Sequence, residues 1–325
     1  MKPKLKFSPR LKFIFLLLAA LLFPLVNHNP YHIDVLVTTG IFMMLALGLN
    51  VIVGYAGILN LGYAALYAMG AYSYAIFNLN FHVPFWLGLV LSGFVAALFG
   101  MLLAFPALRL AGDYLAIVTL GAGEIVRISL NNLDQLTGGP NGLYGISRPS
   151  LWFFKYHFGV KPEPYYYLVL VLLCILVFFL GRLESSRLGR AWLALREDEL
   201  AASCMGINVV WAKLTAFAIG GFIAGLAGCV FASKQGSISP DSFDFVVSVM
   251  VLAMVVLGGL GNIWGVLLGA FVLSLLPEFL RGFEIYRMLL FGIAMILVML
   301  FRPQGILGEA HHREEFKTRN EQTEQ

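Results

Sequence analysis

The sequence predicts an all-α polytopic membrane protein of about ten transmembrane helices, some of them broken or re-entrant. A helix of roughly 20 apolar residues crosses a bilayer, and the chain contains repeated apolar segments of nearly this length. Of its 325 residues, 59% are hydrophobic and 12% are charged. This balance is typical of membrane chains and excludes an ordinary soluble enzyme. The apolar runs are continuous, which favours helices over the alternating strands of a membrane barrel.

Ten apolar segments have the length of a membrane span, or nearly so where neighbouring helices shelter their ends. They are Phe13–Val26, Val35–Val53, Leu61–Phe77, Phe85–Phe105, Tyr114–Leu130, Tyr165–Leu180, Leu214–Ala232, Val246–Leu260, Trp264–Leu280 and Tyr286–Phe301. The weakest signal is that of Val246–Leu260. An even number of spans returns the C-terminus to the side on which the chain begins.

The basic residues predict the orientation of the chain. Its first residues are basic without an acid, which favours an uncleaved first helix with a cytoplasmic N-terminus. A cleaved signal peptide is the alternative, but no small-residue cleavage site follows. Arg109, Arg302 and the segment Arg182–Lys213 then also lie inside. The predicted parts are a basic N-terminus (1–12), a transmembrane domain (13–301) with an external loop (132–164) and a cytoplasmic loop (182–213), and a cytoplasmic tail (302–325).

Several function classes are excluded by what the sequence lacks. It has no phosphate-binding loop, dinucleotide motif, zinc-protease motif or Ser/His/Asp set, so it indicates no catalytic residues, metal site or cofactor. The net charge is +4, and the basic residues that cause it lie at the flanks of the apolar segments. This placement argues against nucleic acid as a partner. Cys174, Cys204 and Cys229 have neither metal-ligand nor disulfide spacing, and we interpret them as small buried hydrophobic residues.

Two glycine-rich stretches interrupt the apolar pattern. Gly54–Gly62 and Gly258–Asn262 each place an asparagine, Asn60 or Asn262, among glycines. Broken helices of this kind expose backbone groups, which are tolerated where they line a cavity or are buried in protein. The sequence leaves open whether the two stretches do so or form tight cytoplasmic turns.

Polar residues also lie within and just after the apolar segment Tyr114–Leu130. Glu124 and Arg127 are three residues apart and Asn131 follows one turn later, so they share a broad helix face. Intramembrane charges cost about 2.5–3.5 kcal/mol each on insertion scales, so we expect them to pair and to face the protein interior. Two interpretations stay open, a structural Glu124–Arg127 pair and one wall of a polar translocation path.

Small residues at four-residue spacing predict close contacts between helices, because they let two backbones approach each other. They are Gly221/Gly225, Ala224/Gly228 and Gly261/Gly265/Gly269. Ordinary helix packing is the main interpretation of these positions.

The charged segment Arg182–Lys213 stands alone between apolar segments. From Leu188 onward its apolar residues recur at helical spacing with charges on the other faces, and Gly206 is placed to end the helix. A short amphipathic helix of this kind fits a groove on a cytoplasmic partner, with charges that set its orientation. The alternative is an interfacial helix with Trp192 at the lipid headgroups.

The spacing of Ala201, Ala202 and Gly206 is similar to the Glu-Ala-Ala–x3–Gly loop of ATP-binding-cassette importer permeases. Leu200 separates Glu199 from the alanines, so the match is approximate. Longer stretches resemble the branched-chain amino-acid importer permease family, in the subunit type with an extra N-terminal helix. They are Gly48–Leu66, Gly112–Leu143, Gly189–Ile207 and Gly258–Ala270, and the resemblance runs from about Asn50 to Pro303.

The resemblance implies one of two usually non-identical permease subunits in a bacterial inner membrane, paired with two cytoplasmic ATPases and an external substrate-binding protein. It implies that ATP is hydrolysed by the partner subunits and not by this chain. The residues expected to couple to the ATPases are Gly189, Arg190, Arg196, Glu197, Asp198, Glu199, Ala201, Ala202 and Gly206. Those expected along the translocation path are Asn60, Glu124, Arg127, Asn131 and Asn262.

The expected cargo is a branched-chain or other hydrophobic amino acid, with urea or a short amide as an alternative that related permeases carry. A self-sufficient carrier driven by protons or sodium ions is a rival, and it would need a buried acid such as Glu124 to titrate. An intramembrane enzyme or an assembly scaffold is a third class, which the missing catalytic residues disfavour.

Overall fold

A computed structural model describes residues 29–108, 113–151, 156–157 and 161–279, together with Leu21, Phe23, Pro24, Gly292 and Ile296. The predicted first and last spans, Phe13–Val26 and Tyr286–Phe301, lie outside these ranges apart from the isolated positions. The basic N-terminus and the charged tail lie outside the described residues as well.

Helices make up most of the described chain, and short strands occur only beside the predicted external loop. The helices are α1 (Pro30–Asn50), α2 (Tyr63–Phe81), α3 (Phe85–Ala107), α4 (Asp113–Asn132), α5 (Asp134–Thr137), α6 (Glu163–Glu184), α7 (Arg187–Glu197), α8 (Glu199–Cys204), α9 (Val209–Gln235), α10 (Phe245–Gly258) and α11 (Ile263–Phe279). A π-helical turn, Val51–Tyr55, prolongs α1, and 3-10 turns cover Gly139–Asn141 and Pro240–Phe243. The strands are β1 (Leu143–Tyr144), β2 (Ser150–Leu151), β3 (Tyr156–His157) and β4 (Ser237–Ile238).

Every predicted span within the described ranges is helical, apart from its terminal residues. Six helical stretches there are long and apolar enough to cross a membrane. They are Pro30–Tyr55, Phe85–Phe105, Tyr114–Asn132, Glu163–Glu184, Val209–Gln235 and Pro240–Gly258. The larger predicted number of spans is therefore not confirmed.

Two predicted spans form helices but fall short of these criteria, each for its own reason. The apolar part of α11, Ile263–Glu278, is too short. Helix α2 is long enough but rich in tyrosine, and its Tyr63, Tyr72 and Tyr74 side chains are buried. A helix enclosed by protein on all sides needs no lipid-facing apolar surface, which explains why α2 is less hydrophobic than its neighbours.

Helix α9 packs against α2 and α3 at backbone distance. A Cβ atom on Gly225 would lie 2.6 Å from the Ser92 carbonyl oxygen of α3, and one on Gly228 would lie 2.4 Å from the Tyr67 carbonyl oxygen of α2. Glycine alone allows both contacts. The predicted role of this small-residue spacing in helix packing is confirmed.

The glycines of α11 serve the same purpose in an antiparallel hairpin with α10. A Cβ atom on Gly258 would lie 2.4 Å from the Gly265 carbonyl oxygen, and one on Gly269 would lie 2.4 Å from the Met254 carbonyl oxygen. The two helices therefore touch along their backbones, and a displacement of one carries the other with it.

The two ends of the helix bundle differ in structure, and we name them by what lies there. At the loop end, β1 pairs antiparallel with β4, and β2 with β3. Also at the loop end, the Lys234 ammonium of α9 contacts the Asp34 carboxylate of α1 at 2.9 Å. The opposite end carries α7 and α8 of the charged segment Arg182–Lys213, which is a charged island between apolar segments, together with both glycine-rich breaks, and we call it the island end.

The cysteines differ in their surroundings. Cys229 is buried and Cys174 is half-buried, whereas Cys204, the last residue of α8, is exposed. The interpretation as a buried hydrophobic residue is confirmed for Cys229 and is wrong for Cys204, because α8 presents its C-terminal turn to the outside.

Candidate functional site

The predicted single helix of the charged segment is wrong, because the segment folds as two helices, α7 and α8. Asp198 between them has an extended backbone, and its side chain accepts a hydrogen bond from the Ala201 N–H at 2.9 Å. Aspartate is a favoured N-cap, so it starts a new helix where the sequence pattern predicts one continuous helix. The predicted end at Gly206 is confirmed: the glycine has φ +81, and the N–H groups of Gly206 and Ile207 donate to the Ser203 and Ala202 carbonyls.

Trp192 fixes α7 to the membrane domain. Its side chain is fully buried, and its indole N–H donates to the Ala212 carbonyl of α9 at 2.8 Å. The alternative with Trp192 at the lipid headgroups is therefore wrong. Leu195 is buried on the same face of α7, so this helix is held against the bundle.

The outer surface of the island end is apolar as well as charged. Ala202 is buried, whereas Leu200 and Met205 are 78% and 83% exposed. Val210 and Trp211 at the start of α9 are exposed too. We call Leu200, Met205, Val210 and Trp211 the island patch. Exposed apolar side chains that lie outside the apolar spans, as those of Leu200 and Met205 do, are a feature of interaction surfaces.

The charges around this patch take part in different contacts. Lys213 is buried, and its ammonium lies 2.8 Å from the Glu199 carboxylate. The Arg190 guanidinium donates to the Ser185 carbonyl at 2.9 Å. Glu197 is exposed. Gly189 is buried, and a Cβ atom there would lie 2.3 Å from the Glu184 carbonyl oxygen, so its role is close packing of α7 on the end of α6.

Arg196 links α7 to the first glycine-rich break. Its guanidinium donates to the Gly54 carbonyl at 2.7 Å. Its stem covers Gly57, where a Cβ atom would lie 2.9 Å from the Arg196 Cγ. Because Gly57 has φ +70, both the conformation and the close approach of Arg196 favour glycine there.

The two glycine-rich breaks meet at the same point. The Asn50 Oδ1 atom accepts a hydrogen bond from the Gly261 N–H at 3.0 Å. Gly54 lies between them, since a Cβ atom on it would approach the Gly261 nitrogen to 2.6 Å. We call Asn50, Gly54, Arg196 and Gly261 the break junction.

Two of the three asparagines predicted for the translocation path, Asn60 and Asn262, cap the chain at these breaks. Asn60 is buried, and its Oδ1 accepts from the Gly62 N–H at 2.9 Å. The Asn262 Oδ1 accepts from the Trp264 and Gly265 N–H groups at the start of α11. Asn262 also lines a cavity of about 380 Å³ between α6 and this second break. Their role in transport stays a prediction.

The predicted Glu124–Arg127 pair is present on α4. The Arg127 Nε donates to Glu124 Oε1 at 2.9 Å, and both side chains are partly exposed. Arg127 also lies 3.7 Å from the carboxylate of Asp241, in the 3-10 turn before α10. Sequence reasoning missed Asp241, although an acid beside an apolar segment is a usable signal. Asn131 is half-buried one turn further along α4.

Long apolar helices with polar breaks between them are the features of a multi-pass membrane transport protein. More particularly, the chain belongs to the family described as the permease component of branched-chain amino acid transport systems, whose sequence profile matches residues 31–299. The profile covers both breaks, α4 and the island end.

Relatives carry names that agree with this family. The high-affinity branched-chain amino acid transport system permease protein LivM of Salmonella typhimurium is 48% identical over 295 residues, which cover 85% of this chain and 69% of the relative. LivM of Escherichia coli K12 is 47% identical with the same coverage. The permease LivH of Escherichia coli K12 is 27% identical over 289 residues, covering 82% and 91%. No solved structure matches the chain.

Proposed function

We propose that this chain is a permease subunit of an ATP-binding-cassette importer for branched-chain or other hydrophobic amino acids. It works with a second, non-identical permease, two cytoplasmic ATPases and an external substrate-binding protein. The names of the LivM and LivH relatives support the cargo and the second permease. The basic segments support a bacterial inner membrane protein with both termini in the cytoplasm.

The observation that carries the proposal is the contact of Arg196 with the Gly54 carbonyl. It joins the charged helix pair, which is open to a partner, to a break inside the bundle. An importer that draws on ATP hydrolysis in separate subunits needs such a connection, because the force acts on the surface and the path lies between the helices.

The ATPases dock on α7 and α8 in this proposal. The island patch supplies apolar area for a groove on the ATPase, and Glu197 and Arg190 at its rim set the register. The Glu199–Lys213 ion pair ties α8 to α9, so a push on α8 reaches the membrane helices.

The translocation path runs past α4 and the Pro240–Phe243 turn. Only 22% of the apolar stretch of α4 is buried within this chain, which leaves a face of the helix for the second permease. An amino acid in transit carries an ammonium and a carboxylate, and Arg127 between Glu124 and Asp241 offers both kinds of partner.

The test of the function is uptake of radiolabelled leucine into vesicles that contain all subunits, with ATP on the side of the ATPases. We expect uptake that requires ATP, the binding protein and this chain, and that excess valine inhibits but urea does not. Simultaneous charge reversal of Arg190, Arg196 and Glu199 is expected to abolish it. Uptake by this chain alone under a proton or sodium gradient would show a secondary carrier instead.

Arg127→Gln is expected to lower leucine uptake several-fold, because it leaves Glu124 and Asp241 without their shared cation. Asp241→Asn is expected to have a smaller effect. Its side chain is 81% exposed and 3.7 Å from Arg127, and exposed pairs contribute about 0–1 kcal/mol. Initial uptake rates at varied leucine concentration, with protein amount matched, measure both. If Asp241→Asn were the more damaging variant, the Glu124–Arg127 pair would not be the main polar element of the path.

A further inference from the structure

The break junction brings together parts of the chain that are remote in sequence. Asn50 ends the α-helical part of α1, Gly261 lies in the turn between α10 and α11, and Arg196 is on α7. The junction is at the island end, beneath the proposed ATPase docking surface. It is therefore one of the places at which a movement of α7 reaches the bundle.

Asn50 makes the connection between the two breaks. Its side chain is fully buried, and its Oδ1 accepts from the buried Gly261 N–H at 3.0 Å. Without this acceptor the Gly261 N–H would lose its partner, at a cost of about 1–3 kcal/mol for a buried group. Gly261 has φ +85, and the tight turn that holds it has this side-chain bond together with the Asn262 N–H donating to the Gly259 carbonyl.

Gly54 leaves room for this bond and for no other side chain. A Cβ atom on Gly54 would lie 2.0 Å from the Asn50 Oδ1 and 2.6 Å from the Gly261 nitrogen. The Gly54 carbonyl accepts from Arg196, and its oxygen lies 3.4 Å from the position that a Cβ atom on Gly261 would take. One residue of the first break therefore contacts α7 through its carbonyl and adjoins the second break through its Cα.

We propose that Asn50 is a positioning residue that makes the two breaks move as one unit. The Arg196 Nη1 atom lies beside both Gly54 and Gly261 and transmits the displacement of α7 to the junction, where the Asn50–Gly261 bond holds the two breaks together as they move. The backbone contacts of Gly258 and Gly269 then carry α10 and α11 along. This inference rests on the proposed function and adds a residue to its coupling mechanism.

The test compares Asn50→Leu with Asn50→Asp in the complete transporter, with leucine uptake and ATP hydrolysis measured on the same vesicles. A leucine side chain at position 50 offers no acceptor to the Gly261 N–H. An aspartate side chain at this position keeps an acceptor and has the Arg196 guanidinium nearby. We expect Asn50→Leu to lower the leucine transported per ATP hydrolysed by roughly fivefold or more, the lower range of couplings between protein sites. Asn50→Asp is expected to retain most of this ratio.

Asn78→Leu is the matched control. Asn78 is also buried and also bonds the backbone, since its Nδ2 donates to the Val83 carbonyl and its Oδ1 accepts from the Ser147 N–H, but it lies at the loop end. It is expected to leave the transport ratio unchanged. A wild-type ratio in Asn50→Leu, or an equal loss in Asn50→Asp or Asn78→Leu, would overturn the proposal. If wild-type transporter showed no ATP-dependent uptake, the proposed function itself would fail.

A measurement without a core substitution covers the case in which Asn50→Leu does not assemble. Spin labels on cysteines at Leu59 and Leu260, both exposed, report the distance between the two breaks, and a label at Tyr144 provides a loop-end reference. The exposed Cys204 and the half-buried Cys174 are replaced by alanine, and the fully buried Cys229 is kept. On addition of a non-hydrolysable ATP analogue we expect a constant 59–260 distance and a changed 59–144 distance. A 59–260 distance that changes with nucleotide would overturn the proposal.

Discussion

Gly225→Leu is expected to prevent accumulation of folded protein. The added Cβ atom alone would approach the Ser92 carbonyl oxygen to 2.6 Å, the Ala96 Cβ to 2.7 Å and the Gly93 Cα to 2.9 Å. Two of these neighbours are backbone atoms of α3, which cannot rotate away, so the two helices must separate. Overpacking costs about 1–3 kcal/mol where side chains can adjust, and we expect more here.

The measurements are the yield of monodisperse protein after detergent solubilisation and the fraction of any recovered protein that remains monodisperse over a temperature series. Gly181→Leu is the matched control, because Gly181 also lies in a long apolar helix but has no atom within 4 Å of its Cβ position. It should behave like the wild type. Equal thermal stability of the two variants would mean that the α3–α9 contact is looser than its backbone distances indicate.

Arg196→Glu is expected to reduce ATP-dependent leucine uptake by roughly tenfold or more. It removes a hydrogen bond from a charged donor to the Gly54 carbonyl, which contributes about 1.5–3 kcal/mol. It also turns a carboxylate towards that carbonyl oxygen. The bundle itself should stay folded, since Trp192 continues to anchor α7 through the Ala212 carbonyl.

Uptake and ATP hydrolysis are compared in vesicles with matched amounts of complex. Arg182→Glu is the control for the change of charge, because Arg182 is an exposed residue near the end of α6 and lies outside the two docking helices. We expect this control to transport at the wild-type rate. Unimpaired uptake by Arg196→Glu would remove the Arg196–Gly54 contact from the coupling mechanism.

The helix positions could largely be predicted, because lipid requires long apolar runs and the chain has them. The breaks at Gly54 and Gly258 could be predicted too, since glycine clusters interrupt those runs. The division of the charged segment was missed, although Asp198 three residues before Ala201 is a recognisable N-cap signal. The enclosure of α2 was not predictable from hydropathy, because tyrosine suits both a protein interior and an interface.

The contacts of the candidate site could be predicted only within single helices. Glu124 and Arg127 pair because they are three residues apart on one helix. The contacts of Arg196 with Gly54 and of Asn50 with Gly261 join residues that are 142 and 211 positions apart. Contacts of this range depend on how helices are arranged, which periodicity does not specify. The residue types gave no separate signal, since a single asparagine in an apolar run has many possible partners.

The backbone contacts of α9 with α2 and α3 restrict where the permease can diversify. Positions that must remain glycine cannot be used to remodel a binding surface without breaking the bundle apart. We therefore expect adaptation to a different nutrient to be recorded on α4 and on the Pro240–Phe243 turn, where side chains are less enclosed. The close helix contacts that stabilise the bundle thus limit the positions at which substitutions can alter substrate specificity.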